Sequence, residues 1–298
     1  EKKTGIHVRP VYDSEAAKTT GLVSRLVAER GRPRCDVFWN NEIARTIRLK
    51  NEGLLEAYVS PGADDISYNF KDPDGAWTGF AARARVLVYN THLKVLDQEF
   101  PEVISMTDIQ LMTGKAYQGR LGMAYPLFGT TSTHAAVLFN EWGDEKAREF
   151  FEALKANDIK IFEGNMSVCR AVADGEISMG LTDTDDAMLL IEQGEPIRFM
   201  LVDHAGQGGL LVPNTVSLIK GAPNPEAGRA LIDYLLTPEV EAALAACPSA
   251  QIPLHTGVEA PEAVQTLAAM KYMPVDYAGA AGKIPGSAEF LKALFTRP

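Results

Sequence analysis

Hydrophobic positions along the chain alternate between two periods. "GIHVRPVYD", residues 5–13, repeats every second residue like a strand, and "SEAAKTTGLVSRLVAERG" follows with helical spacing at Leu22, Leu26 and Val27 until Gly31 stops it. "CDVFW" is a short apolar run of strand type, and the helix after it places Ile43, Ile47 and Leu49 on one face before Gly53 closes it. From Trp77 to Tyr89, "WTGFAARARVLVY" breaks this rhythm with a long extended stretch that carries no helix-start signal. The alternation then resumes: "GRLGMAYP" as strand, a capped helix in "TTSTHAAVLFNEWG", a helix from Asp144, "IKIFEGN", a helix from about Ser167, the strand "ISMGL", and a helix from about Asp185 to Gln193 that Gly194 ends. "GGLLVPNTVSLIKGAPNPEAGRALIDYLLTPEVEAALA" predicts an extended return and two helices starting near Pro225 and Pro238. Strands alternating with helices predict a mainly parallel sheet covered by helices, in two clusters joined by extended segments near residues 83–89 and 204–215.

Composition narrows the function classes. A chain of 298 residues, 46% hydrophobic and 23% charged, is long enough for two globular domains. Its formal net charge of −10 argues against a nucleic-acid binder, which needs a basic face to release counterions. The three cysteines, Cys35, Cys169 and Cys247, show no zinc-ligand spacing, and no pairing among them is readable. No apolar run approaches transmembrane length, and no signal peptide opens the chain.

In an open α/β sheet, ligands gather beyond the carboxyl ends of strands, where helix N-termini present free amides. Four such junctions are unusually polar. "FWNNEIART" sets Asn40, Asn41 and Glu42 between strand and helix, with an Asn expected as cap. "PLFGTTSTHAAV" sets Thr130, Thr131, Ser132 and Thr133 before the predicted helix, more hydroxyls than one cap needs and so a candidate anion cradle. His134, with no histidine at i+4, is expected to pack or hydrogen-bond locally. In "EGNMSVCRAV" one of Asn165 and Ser167 is expected to cap, leaving the other spare. In "GLTDTDDAM" Asp183 reads as an N-cap, with Asp185 and Asp186 in the first turn, and the spacing fails as an EF-hand. Arg83 and Arg85 project to one side of the presumed linker strand, where either completes the charge of an anion. No Walker loop, GxGxxG, GxSxG or HExxH occurs, so an enzyme rests on the Asp group alone and is not expected.

The segments "DVFWNNEIARTIRLKNEGLLEAY", "WTGFAARARVLVYNT", "GKAYQGRLGMAYPLFGTTSTH", "EGNMSVCRAVADGEISMGLTDTDD" and "VPNTVSLIKGAPNPEAGRALIDYLLTPE" together resemble the extracellular solute-binding proteins of bacterial ABC importers. The resemblance is to the branch of ferric-ion-binding proteins with phosphonate- and sugar-phosphate-binding relatives. It implies an α/β, two-lobe (type II) periplasmic-binding-protein fold. Residues 1–85 would begin lobe one, 86–205 form lobe two, and 206–298 return to lobe one with C-terminal helices packing across both. It implies a periplasmic or lipid-anchored monomer that hands its solute to a membrane permease, and a strand, most of a helix and a signal peptide ahead of Glu1. Thr130, Thr131, Ser132, Asn165 and Arg83 or Arg85 match positions that hold the synergistic anion or substrate phosphate. Asn41 falls where ferric-binding members have a metal-binding glutamate, with Glu42 one place on. Asp185 and Asp186 fall where those members carry paired tyrosines, so phenolate ligation is not expected here.

The candidate ligand set is therefore Asn40, Asn41, Glu42, Arg83, Arg85, Thr130, Thr131, Ser132, Asn165, Asp183, Asp185 and Asp186. Asp185 and Asp186 are the candidate metal ligands. Adjacent carboxylates in a cleft demand a positive group. The expected solute is ferric iron or another metal with an oxyanion, no further cofactor being required; the alternatives are an amino-phosphonate or organophosphate and, remotely, a metal-assisted hydrolase.

Overall fold

The computed structural model describes residues 1–13, 20–93 and 104–296. In chain order the elements are α1 (Thr20–Ala28), β1 (Val37–Asn40), α2 (Ile43–Asn51), β2 (Leu55–Glu56), β3 (Thr78–Asn90), β4 (Met106–Asp108), β5 (Leu121–Ala124), α3 (Gly129–Glu141), α4 (Asp144–Ala156), β6 (Lys160–Phe162), α5 (Asn165–Ala173), β7 (Met179–Asp183), α6 (Thr184–Glu192), β8 (Ile197–Asp203), β9 (Leu211–Ile219), α7 (Pro225–Leu235), α8 (Pro238–Ala245), α9 (Glu262–Ala268) and α10 (Tyr277–Phe295). Residues 5–13 alternate as a strand should but form none, and Val8, Val11 and Tyr12 are exposed. Alternation gives one face its apolar character; a strand also needs a neighbour to pair with. The first six residues of the following predicted helix, 14–19, lie outside the described residues.

β3 is common to both lobes. Its first half pairs antiparallel with β9, which also pairs antiparallel with β1 and β2. Its second half lies between β7 and β8, antiparallel to each, while β6, β5 and β7 run parallel, as do β4 and β8. The parallel pairing expected from the strand–helix alternation thus holds in the second lobe for β6, β5 and β7 and for β4 with β8, while β3 makes the sheet mixed. In the first, β9 arrives from the distant return segment and runs against its neighbours. All thirteen residues of β3 are buried, which explains why this strand reads as a nearly unbroken apolar run. Two arginines in so apolar a strand are its one anomaly.

Within the ladder that β3 forms with β9 the register shifts between Phe80 and Ala82, and Ala81 takes φ +42°. A non-glycine residue in the left-handed region is strained and persists only where its surroundings hold it. Here the holder is Glu241 of α8. Its carboxylate, fully buried, accepts from the Ala81 amide at 2.5 Å, from Leu254 at 2.9 Å and from His255 at 2.8 Å. Alanine at position 241 strands these three amides, each worth about 1–3 kcal/mol when left unpaired in the interior. Glu241→Ala is therefore expected to lower the urea unfolding free energy by about 3 kcal/mol or more, and Glu241→Gln, which keeps a carbonyl acceptor, by less.

The C-terminal helix α10 packs on α2 and also on α3 and α4. Gly180 shows how tightly helices sit on the sheet: a Cβ there would lie 2.2 Å from Val168 Cγ1. Cys35, Cys169 and Cys247 are free thiols.

Candidate functional site

Three helix N-termini, those of α3, α5 and α6, meet around one carboxylate. None is capped by a side chain, and the residues at the cap positions are Phe128, Gly164 and Asp183. Asp183 instead turns its carboxylate toward β3, whose Arg85 is its cross-strand partner. Oδ1 accepts from Arg85 Nη1 at 2.5 Å, and Oδ2 accepts from Asn165 Nδ2 at 2.7 Å and from the Thr130 hydroxyl. Arg85 is wholly buried and also donates to Thr130 Oγ1 and Thr131 Oγ1. A fully buried guanidinium is tolerable only with a charge partner and satisfied donors, and this ring of acceptors supplies both.

A second set of contacts lies toward the first lobe and joins the facing walls. Arg83 Nε donates to Asp185 Oδ2 at 2.8 Å, Nη1 to the Asn41 carbonyl, and Nη2 to Asn214 Oδ1 at 3.2 Å and Gln251 Oε1 at 3.3 Å. Burial disfavours this guanidinium's charge, but Asp185 and Asp183 more than restore it, so its pKa is raised. Thr133 of α3 donates to Glu42 Oε2 at 2.9 Å across the cleft. Burial pushes the Glu42 carboxyl up, against Arg45 and the bonds from Thr133 and two amides. One carboxylate oxygen from each of Asp183, Asp185 and Asp186 falls within 4.8 Å of the others, with Asp185 and Asp186 partly exposed.

Behind Arg85 lie two buried imidazoles. Arg85 Nε contacts His134 Nδ1 at 3.3 Å, His134 Nε2 meets His204 Nε2 at 2.8 Å, and His204 Nδ1 meets the Gly208 carbonyl at 3.1 Å. Burial, then His204 and Arg85, hold His134 well below the usual histidine range. Burial also lowers His204, against the Gly208 bond and the carboxylates of Asp203 and Asp108. The unfolded chain protonates these histidines near pH 6.5 while the folded pair resists. Their contribution is thus complete above that pH and lost as pH falls through it toward the lower folded values. Two such groups give a slope of up to about 2.7 kcal/mol per pH unit. Urea titrations at pH 7.5, 6.5 and 5.5 are expected to show falling stability, and a shallower fall for His134→Gln/His204→Gln.

Several expectations change at this level of detail. Glu42, and not an Asn, caps α2, accepting from the amides of Ala44 and Arg45. Asn40 is buried and donates to the Glu42 carbonyl and Thr46, with its own Oδ1 lacking a partner, while Asn41 contributes its carbonyl. α3 starts at Gly129, so Thr130, Thr131, Ser132 and Thr133 form its first turn and no preceding loop. α5 starts at Asn165, whose side chain turns to Asp183, so neither it nor Ser167 caps the helix. Asp183 occupies the N-cap position but does no capping, because Arg85 takes its carboxylate. Arg85 bonds to Asp183, Thr130, Thr131 and His134, whereas Arg83 bonds to Asp185, the Asn41 carbonyl, Asn214 and Gln251, so the two arginines are not interchangeable. His134 bonds to a histidine 70 residues away and not locally. Asn214 and Gln251 join the site through Arg83, and of the two only Asn214 carries a local signal, as an Asn inside the apolar strand "VPNTV".

The family described as "Bacterial extracellular solute-binding protein" matches residues 1–272. The chain is 24% identical over 253 residues, 82% of its own length and 67% of the relative's, to "Iron uptake protein A1" of Synechocystis sp.. It is also 24% identical over 247 residues, 80% of its length and 67% of the relative's, to "Putative 2-aminoethylphosphonate-binding periplasmic protein" of Salmonella typhi. It thus spans about two thirds of the length of these curated relatives. Among solved structures, "Ferric binding protein from Campylobacter jejuni" superposes with a TM-score of 0.86 at 18% identity, over 99% of this chain and 93% of that one. Two α/β lobes sharing β3, polar helix ends facing one another across the cleft, and a family match over residues 1–272 lead to one assignment: the chain belongs to the bacterial extracellular solute-binding proteins.

Proposed function

We propose that this chain is the substrate-binding component of an ABC importer, working outside the inner membrane and delivering its solute to a membrane permease. The solute is a hard metal cation, ferric iron first, held by the carboxylates of Asp185 and Asp186 with Asp183 behind them and an oxyanion completing its coordination. The observation that carries this reading is the carboxylate cluster of the site. Carboxylate oxygens of Asp183, Asp185 and Asp186 approach within 4.8 Å of one another, a dense cluster of anionic oxygen ligands beside the guanidiniums of Arg83 and Arg85. Carboxylate oxygens suit hard cations. Asp183 already takes Arg85, Thr130 and Asn165, which leaves Arg83 as the cationic partner of an accompanying oxyanion. Among the described residues no helix is long and apolar enough to cross a membrane.

A zwitterionic aminophosphonate is the second reading, favoured by the pairing of Arg83 with Asp185: its phosphonate would meet Arg83 and its amine the aspartates. A thermal-shift screen separates the two. Fe(III) supplied as its citrate complex is expected to raise Tm in a chelator-reversible way. Stabilisation by 2-aminoethylphosphonate that chelators leave untouched replaces the metal with the organic solute.

A further inference from the structure

We infer that His134 and His204 are positioning residues that fix Arg85, and through it Asp183, Thr130 and Asn165, against the connection between β8 and β9. The inference rests on the reading of this region as the solute site, but its geometry does not depend on which solute is bound.

Arginine is always a donor, so the Arg85 Nε–H must donate and His134 Nδ1 must accept. The His134 proton therefore sits on Nε2 and points at His204 Nε2, 2.8 Å away. That nitrogen must accept in turn, which places the His204 proton on Nδ1, directed at the Gly208 carbonyl. One assignment satisfies all four groups. An extra proton on either ring sets two N–H groups against each other, so the chain of bonds holds only while both imidazoles are neutral. Both rings are buried, His134 to 1% and His204 to 0% exposure, and water does not replace a broken link.

The far end is rigid. The Gly208 carbonyl also accepts from the His204 amide at 3.2 Å, and the Asp203 carboxylate holds the amides of Gly206 and Gly208, each at 2.7 Å. Gly208 takes φ +115°, and a Cβ there would meet the Lys271 carbonyl at 2.6 Å, so the turn has little freedom. The Arg85 amide itself donates to the Leu210 carbonyl at 3.0 Å. Arg85 is thus fastened to one connecting segment twice, by its backbone at Leu210 and by its side chain through two histidines at Gly208. That segment is the second passage between the lobes, β3 being the first. A movement of the connection is transmitted to the guanidinium that orients Asp183.

Long-range 15N–1H spectra of the imidazoles in the full chain at pH 7.5 test this directly. His134 is expected as the Nε2–H tautomer and His204 as the Nδ1–H tautomer, with Arg85 Nε–H protected from exchange. His134 protonated on Nδ1, or either ring cationic at that pH, overturns the inference. His204→Gln, which presents an acceptor near the lost Nε2, is expected to keep Arg85 Nε–H protection and affinity for Fe(III) citrate within about threefold. His204→Leu is expected to lose the protection and at least about tenfold in affinity. Equal protection in wild type and His204→Leu also refutes it. A wild-type chain that binds neither Fe(III) citrate nor 2-aminoethylphosphonate sinks the functional reading instead, and the tautomer result stands apart from it.

Discussion

Asp183→Ala is expected to lower the free energy of unfolding by about 3–5 kcal/mol, the range for removing one partner of a buried ion pair. The substitution leaves the Arg85 guanidinium, with no exposed surface, facing Thr130, Asn165 and His134 but no negative charge. The measurement is a urea titration at pH 7.5 with wild type and variant compared at equal m-value. Two controls separate charge from packing. Arg85→Met/Asp183→Leu removes both charges and is expected to recover most of the loss, because a buried pair replaced by apolar groups is often neutral. Inorganic phosphate is expected to stabilise Asp183→Ala more than wild type, since the emptied position keeps the Arg85 guanidinium, the Thr130 hydroxyl and the Asn165 side-chain amide directed at it. A loss below about 1 kcal/mol, the range of an exposed pair, would show that the Arg85–Asp183 pair reaches solvent and is not buried.

Asp185→Asn/Asp186→Asn should act in the opposite way, with little effect on folding and a large one on binding. Both residues are partly exposed, and Arg83 keeps the Asn41 carbonyl, Asn214 and Gln251 as acceptors when Asp185 is neutralised. Affinity for Fe(III) is expected to fall at least about 100-fold, or about 2.8 kcal/mol, read by competition with a chelator of known strength. The amides are isosteric with the acids, so the loss reports charge and not shape. An unchanged iron affinity would remove these carboxylates from the coordination sphere and leave the aminophosphonate as the solute to pursue. Set beside Asp183→Ala, the pair of results divides a run of aspartates four residues long into one that holds the fold and two that face the cargo.

Most elements were legible because their cause is local. Apolar spacing placed α2 at Ile43, Ile47 and Leu49, prolines marked the starts of α7 and α8, and an unbroken apolar run with two arginines marked β3. The candidate site was legible as a list of polar helix starts. Its assignments failed wherever two satisfactory partners competed. Local rules offered Asp183 the free amides of its own helix, yet a buried arginine on the neighbouring strand won, because an unpaired charge in the interior costs more than an uncapped helix end. Glu42 displaced Asn from the cap of α2 because its carboxylate reaches both two amides and Thr133 across the cleft.

By itself the sequence determined the family, the alternation of strands and helices and the residue types gathered at helix ends, since these follow from periodicity, propensity and charge within short windows. Only the tertiary structure decided that β9 runs against the first-lobe strands and that Arg85 takes Asp183 while Arg83 takes Asp185. It alone joined His134 to His204, and Asn214 and Gln251 to Arg83. These pairings span tens to more than a hundred residues, and which donor meets which acceptor is set by the fold that brings them together.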